Sequence, residues 1–460
     1  MLRTLRVYGR QKVDGLEKVP EIVPEKVEAS MELKVRLRAA LILAVATFLS
    51  AFASVDAVRA EFSGEAGLNA SQLVEIAMEA NPQICSMRAA WQAAQHQILQ
   101  NYAPADPVFT YGQLDSDKDF NAGSHSHNIT FSFQPPGQAF LQADQARRTA
   151  EIARLTYEAA VRDLRAAVET GYYQVVLDEG LIAINKDNIA NLKQVVNVTQ
   201  VQYTAGQAAQ SDLIGAELGL EQAELQQRQY ETNRLNDRVA LNQLLYREPE
   251  SPLGLDEKIE LKPMELRLDK AVETAQRARQ EILEAALAEK NSATAVTLAK
   301  LEYLPSYTLG GEYDTFLEPG TQPAPNVRQG WSFTVGFSVP MFFWIHQRED
   351  VLSAQHSLEA ARCSLRSVLS QTKATVTQLY RSAQFAYESA LVYKGRLIPL
   401  ADKQFKVALV AYQSGKVDFL TLSSALQGDY ASRLTYLQNA NSFFAGQVAV
   451  EQAMGVSFQQ

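Results

Sequence analysis

The chain has 460 residues, enough for two or three ordinary domains or for one large repeated unit. Its 43 Lys and Arg against 52 Asp and Glu leave a net charge of -9, so no basic stripe is available to neutralise phosphates and broad nucleic-acid binding is excluded. Cys85 and Cys363 have neither CxxC spacing nor a nearby His cluster, so they support no zinc site and no disulfide framework and read as small buried side chains or isolated thiols.

Residues 1–30 are highly charged and read as an N-terminal extension or as sequence upstream of a true start at Met31. Residues 31–60 read as a secretory signal. Lys34, Arg36 and Arg38 open it, an apolar run follows from Ala39 to Ala53, and Val58 and Ala60 precede a cut before Glu61. That run is shorter than the roughly 20 residues of a spanning helix, which disfavours a retained anchor. No cysteine lies near the cut, so no lipid-anchored N-terminus is expected.

Beyond the signal the chain can be laid on itself. "VEIAMEANPQI" (74–84) matches "VETAQRARQEI" (272–282), "YAP" (102–104) matches "YLP" (303–305), and "FSFQP" (131–135) matches "GFSVP" (336–340). The steps Tyr203/Gly206 and Tyr412/Gly415 follow in the same order. A duplicated unit is the expectation, with one copy over 70–250, a linker over 251–267 and a second copy over 268–456.

Each copy opens on a helical stretch, 71–101 or 268–302, rich in Ala, Glu, Gln and Leu. Two strands follow in each, near 107–114 and 128–135 in the first and near 306–313 and 331–339 in the second. "WSFTVGFSV" sets Trp331, Phe333, Val335, Phe337 and Val339 against Ser332, Thr334, Gly336 and Ser338, a strict period of two. The segments between paired strands, 115–128 and 314–330, are loaded with loop formers and read as exposed loops. A long helix then runs from Ala139 to Tyr203 without a proline, or from Met341 to Tyr412 with a kink or local break at Pro399. Return helices are expected over 211–246 and 418–454. Each Tyr-x-x-Gly step sits between a long helix and its return, where glycine can take the positive φ that stops a helix.

Four strands with one apolar face leave open edges, and lipid offers no partner for their amides, so a membrane sheet of this kind must close. Single-chain outer-membrane barrels begin at about 8 strands, so closure requires several subunits, and three copies supply twelve strands. Rods near ~100 Å exceed any bilayer and must project into water.

The succession "LVEIAMEANPQI", "YAP", "FSFQP", "QYTAGQAAQSDLIGAEL", "ALNQLL", "YLPSYTLGG", "WSFTVGFSVPMF" and "AYQSGKVDFLTLSSA" resembles the TolC family of outer-membrane efflux proteins across nearly all of 70–456. The resemblance implies a mainly α fold with a membrane β-barrel portion: four strands per chain complete a 12-stranded trimeric barrel, continued by a long α-helical barrel in the periplasm. It implies a passive channel of a tripartite efflux system, with a periplasmic adaptor, an inner-membrane pump and outer-membrane lipid as partners. "ALNQLLYREPESPLG" and "GQAAQSDL" look more like the branch paired with resistance-nodulation-division pumps than the type I protein-secretion branch. The hairpins are then the closed periplasmic tip and adaptor contact, which picks out Tyr203, Gly206 and Asp212 in the first copy and Tyr412, Gly415 and Asp418 in the second.

Family members often carry an acidic residue six positions after the second glycine. Here that place holds Thr421, and Asp418 stands three after Gly415. Helix capping is the plainer role for Asp212 and Asp418. Trp331 and Trp344 fit an aromatic girdle at the membrane interface, with core packing the alternative for Trp344. His125 and His127 are expected in a surface loop, and no further metal ligands accompany them. Glu75 and Glu273 recur on what should be a solvated helix face. No P-loop, nucleophile elbow, metalloprotease helix or Rossmann pattern is present, so neither an enzyme nor a cofactor is expected. Two other readings compete. A secreted helical scaffold predicts no barrel strands, and a periplasmic adaptor should lack the duplication.

Overall fold

A computed structural model describes residues 67–114, 124–256, 260–264, 266–318 and 326–456. The expected N-terminal extension and signal segment lie outside the described residues, as do 115–123 and 319–325 of the expected loops.

The first repeat contains α1 (Ala70–Ala80), α2 (Pro82–Tyr102), β1 (Val108–Leu114), β2 (Ser124–Phe133), α3 (Gln138–Thr204) and α4 (Gln210–Leu244). The second contains α5 (Leu268–Ala278), α6 (Gln280–Leu301), β3 (Tyr307–Glu318), β4 (Asn326–Phe337), α7 (His346–Val392), α8 (Ile398–Gln413) and α9 (Phe419–Met454). A π-helical turn, Tyr393–Leu397, joins α7 to α8. It ends two residues before Pro399, whose ring displaces the carbonyl one turn back and whose nitrogen has no proton to give. The local break expected at this proline is therefore a π-bulge within a continuing rod.

The strands form one antiparallel sheet in the order β1-β2-β3-β4. Beyond the end of the sheet that joins the helices, the helices continue that order, because α2 packs on α3, α3 on α6 and α6 on α7. Farther along, α4 packs on α3, α3 on α9, and α9 on α7 and α8. The 67-residue α3 belongs to both layers and, at ~1.5 Å per residue, is about 100 Å long.

Duplication is written into the core. In the first repeat, Leu73 and Ala77 of α1 meet Val168 and Tyr172 of α3, Leu241 of α4 and Leu245 just after it. In the second, Ala271 and Ala275 of α5 meet Val376 of α7 and Val450 and Met454 of α9, with Tyr380 packed against them. The two tyrosines also do the same job. Tyr172 donates its hydroxyl to the Asp256 carbonyl, and Tyr380 donates to the Leu266 carbonyl at 3.0 Å, so each rod pins one end of the inter-repeat linker.

Both opening helical stretches are broken where one helix was expected. Pro82 excludes the helical conformation from Asn81, which lies extended at φ -75 and ψ 117 and caps α2 through its side chain. Arg279 adopts nearly the same geometry, φ -65 and ψ 124, with no proline after it. Tertiary contact enforces the second break. Arg279 donates to the Ala453 carbonyl at 3.4 Å and Gln280 to the Gly455 carbonyl at 3.4 Å, which ties the break to the end of α9.

Gly455 has φ +78, and a Cβ there would lie 2.8 Å from the Arg279 Cα. We expect Gly455→Ala to cost about 1–3 kcal/mol, because backbone cannot yield as a side chain can. Denaturant unfolding of the purified variant measures this, and an unchanged midpoint would contradict the docking described. The matching cap in the first repeat is Tyr246, at φ 54.

Other differences concern the strands. β2 begins at Ser124, so His125 and His127 belong to a strand and not to a loop. β3 and β4 likewise reach Glu318 and Asn326, well into the segment expected to be loop. Polar residues at strand ends read as loop, although backbone pairing does not require apolar side chains. Cys85 and Cys363 are free and exposed, so the buried alternative fails. Glu75 and Glu273 are exposed as expected, and Glu273 pairs with Arg277 at 2.7 Å.

Candidate functional site

At the hairpin between α3 and α4, Gly206 has φ 72, its N–H reaches the Tyr203 carbonyl at 2.9 Å, and the Gln207 N–H reaches the Gln202 carbonyl at 2.8 Å. Between α8 and α9, Gly415 has φ 67, its N–H reaches Tyr412 at 3.0 Å, and the Lys416 N–H reaches Ala411 at 2.9 Å. Both are Schellman caps with the tyrosine at the same position. The repeated Tyr-x-x-Gly step is thus one turn used twice.

The tyrosines themselves have diverged. Tyr203 is 39% exposed, whereas Tyr412 is 5% exposed within a core of Val195, Ala216, Phe405, Ala408, Leu409 and Leu422. The acids diverge too. Asp418 caps α9, accepting the Thr421 N–H at 2.9 Å, and hydrogen bonding from Thr421 holds its carboxyl below the usual range. Asp212 does not occupy the cap position. That place is Ala209, whose methyl accepts nothing, and Asp212 accepts the Ala209 N–H at 3.4 Å from within the first turn. Thr421 occupies the place of the expected acid, and its N–H serves the cap. Gln202, which sequence reasoning passed over, joins the two hairpins by donating to the Gln413 carbonyl at 2.9 Å.

At the other end the sheet has two unlike faces. Register places Tyr111, His127, Tyr313 and Trp331 in one cross-strand row, followed by Phe109, Ile129, Gly311 and Phe333, then Phe131, Leu309 and Val335, then Phe133, Tyr307 and Phe337. The alternate positions carry Thr110, Asn128, Glu312 and Ser332, and Ser126 and Asp314. One face is apolar and aromatic; the other is polar. In the first row the ring centroids of Tyr111 and His127 lie 5.2 Å apart, and those of Tyr313 and Trp331 4.7 Å apart. His125 bonds the Tyr111 hydroxyl through Nδ1 at 2.9 Å. Trp331 is 83% exposed and Trp344 is 52% exposed, so core packing does not describe Trp344 in this chain. Among the described residues no group of three or more His, Cys, Asp or Glu side chains could hold a metal ion. Among them, too, no helix is long and apolar enough to cross a membrane.

The family model described as outer membrane efflux protein matches residues 73–245 and 271–456. The chain belongs to the outer membrane efflux protein family. No curated relative matches its sequence significantly. The fold of this efflux protein is similar to that of the outer-membrane channel OprN, at TM-score 0.71 and 18% identity over 85% of this chain and 91% of that one. It is similar to VceC from Vibrio cholerae at TM-score 0.70 and 15% identity, over 85% and 96% of the two chains. The CmeC channel of Campylobacter jejuni gives TM-score 0.67 and 17% identity, over 84% and 85%. By that membership this chain is an outer-membrane protein of efflux and not an enzyme. The scaffold and adaptor readings fall with that assignment.

One buried acid of the efflux protein had no signal in the sequence. Asp178 of α3 is 2% exposed, and its Oδ2 has no partner. Burial first, and the hydrogen-bonded Asp237 carboxyl second, push it up to about 7, with Arg234 opposing. Next to it, Glu179 holds Arg234 at 3.2 Å and Arg238 at 3.0 Å. The folded chain thus keeps a proton that the unfolded chain loses near pH 4, so this group's contribution to stability declines as pH rises toward 7. We expect Asp178→Asn to stabilise the protein by about 1–2 kcal/mol at pH 8, with the difference vanishing near pH 4. Unfolding curves across that range measure it, and a pH-independent difference would contradict the account.

Proposed function

We propose that three copies of this chain close a 12-stranded barrel and form a passive outer-membrane duct for cargo passed on by an inner-membrane pump through a periplasmic adaptor. The observation that carries the trimer is the sheet: four strands, an apolar face, and β1 and β4 without outer strand partners among the described residues. Hydrocarbon cannot satisfy those edge amides, and β1 of one copy meeting β4 of the next removes both edges. Exposed apolar stripes support the same association lower down. Leu218 and Leu225 on α4, and Leu400 and Val407 on α8, recur at heptad spacing and lie open in the single chain.

In this reading the polar sheet face lines the lumen and the apolar face meets lipid, with Trp331 and Trp344 as interface aromatics. The two hairpins form the periplasmic tip and the adaptor contact, through Tyr203, Gly206, Asp212, Tyr412, Gly415 and Asp418. Energy comes from the pump, because the sequence offers no nucleotide-binding loop. The resemblance of "ALNQLLYREPESPLG" and "GQAAQSDL" to the branch serving resistance-nodulation-division pumps supports a partner of that type.

The experiment is to delete this gene while its pump and adaptor stay in place, then restore it. Sensitivity to exported compounds should rise and be reversed by the intact chain. Unchanged sensitivity, in a strain shown to lack other channels of this family, would overturn the reading.

A further inference from the structure

The two repeats meet inside the chain where α3 packs on α9. Three contacts mark that junction. The Asn441 amide donates to the Gln174 side chain at 3.4 Å, Leu177 and Phe444 line one groove, and a Cβ built on Gly180 would lie 2.9 Å from Leu437 Cδ1. All six residues are half-buried. The same row of helices leaves α4 at one end and α7 with α8 at the other. Each end has its repeat counterpart within the junction, because α7 corresponds to α3 and α4 to α9.

Landmarks shared by the repeats fix the correspondence residue by residue. Counting along the rods from Tyr172 and Tyr380, which pin the two ends of the linker, puts Ser382, Phe385 and Glu388 at the places of Gln174, Leu177 and Gly180. The π-helical turn, which shifts this count by one residue at Tyr203 and Tyr412, lies beyond Glu388. Counting from Leu241 and Val450, which hold matching places in the two repeat cores, puts Arg228, Thr232 and Leu235 at the places of Leu437, Asn441 and Phe444. All six counterparts are exposed. Where Gln174 and Asn441 share a hydrogen bond, Ser382 and Thr232 bring two hydroxyls. Phe385, 69% exposed, and Leu235, 57% exposed, are both apolar. Glu388 and Arg228 carry opposite charges, and among the described residues neither has an ion-pair partner.

We propose that α7 of one copy packs on α4 of the next as α3 packs on α9 within the chain, with Glu388 of one copy paired to Arg228 of the next. The proposal rests on the reading of the assembly as a closed ring of three copies. Continuity argues for a second copy as the occupant, because Thr232 follows Leu218 and Leu225 at heptad spacing and so extends the stripe assigned to contact between copies. The change from Gly180 and Leu437 to two charges has a physical reason. Inside the chain the junction is covered as the chain folds, whereas a face between copies stays in water until assembly and is better tolerated there with charge than with one more bare leucine. Flanked by Phe385 and Leu235, the pair selects which turn of α4 meets which turn of α7, as charges beside an apolar helix seam do.

The test uses the full chain with its two exposed thiols removed, C85S/C363S. In that background E388C and R228C are placed in separate copies expressed together, or both in one chain, and outer membranes are treated with a short bis-maleimide. Covalent dimers from the mixed copies and covalent trimers from the doubly substituted chain are expected, with no product from either cysteine alone. S382C with T232C repeats the measurement at the neighbouring contact, so the test stands if one variant fails to fold. Charge reversal gives a second reading. E388R and R228E each set like charges together and should cut the trimer that survives mild heating in detergent about tenfold, and E388R/R228E should restore it. Three copies by native mass with neither cysteine pair joined would overturn the proposal and leave the ring standing. Product from E388C alone would overturn it too, since two α7 helices would then lie face to face. Joined cysteines without rescue by the double reversal would overturn the ion pair. A single copy by native mass would end the ring reading and this contact with it.

Discussion

Phe333→Arg removes the protein from the outer membrane. Phe333 sits in the second apolar row, beside Gly311 of β3, with its side chain exposed. In the proposed barrel it points into hydrocarbon, where an arginine near the midplane costs about 2–4 kcal/mol in each copy. Three copies multiply that penalty at the step where they must close together, so at least a tenfold loss of membrane-assembled protein is expected. Thr334→Arg is the control. Thr334 pairs with Gly310 on the polar face, where a cation meets water and changes only the lumen. Outer-membrane fractions of the two variants, compared by immunoblot, should differ sharply. Equal levels would show that the faces are not as unlike as the register makes them.

Gly206→Val and Gly415→Val abolish export while leaving the assembled protein in the membrane. Nothing lies within 4 Å of a Cβ built on either residue, so the substitution meets open space. The whole penalty is conformational. At φ 72 and 67 a β-branched residue costs about 1–2 kcal/mol or more, and the cheaper response is to unwind the Schellman cap and redirect the hairpin. Such a change leaves the distant strands and the repeat cores alone and spoils the surface proposed to meet the adaptor. Asparagine tolerates the left-handed conformation better than any other side chain, so Gly415→Asn should retain much of the export that Gly415→Val loses. Resistance of a strain carrying each variant, measured beside its outer-membrane level, reads both. Full resistance in both valine variants would sink the placement of the tip.

Periodicity made the repeated parts of this architecture legible. Strict alternation over 331–339 announced a two-faced strand, and the proline-free run over 139–203 announced a rod, because each pattern persists long enough for one period to dominate. The glycine of each Tyr-x-x-Gly step was legible for a similar reason: few other residues can end a helix at positive φ. What escaped depended on distant partners. Arg279 carries no local signal for a break, and only its contact with the end of α9 imposes one. His125 and His127 looked like loop because their neighbours are serines, yet pairing to Gln113 and Tyr111 on one side and Thr315 and Tyr313 on the other makes them strand. Asp212 resembles Asp418 in following a turn glycine, but it stands six positions after Gly206 where Asp418 stands three after Gly415. Ala209 holds the matching cap position in the first repeat, and only Asp418 stands at the cap itself. Tyr203 and Tyr412 cannot be told apart by the motif they share, since burial of the second is set by α9 and the facing rod.

The strand count is the hinge of the account, because a sheet of four with an apolar face seals no pore by itself. The direct measurement is the native mass of the protein extracted in mild detergent from outer membranes. Three copies in one particle is the predicted result; a particle holding a single copy would contradict it.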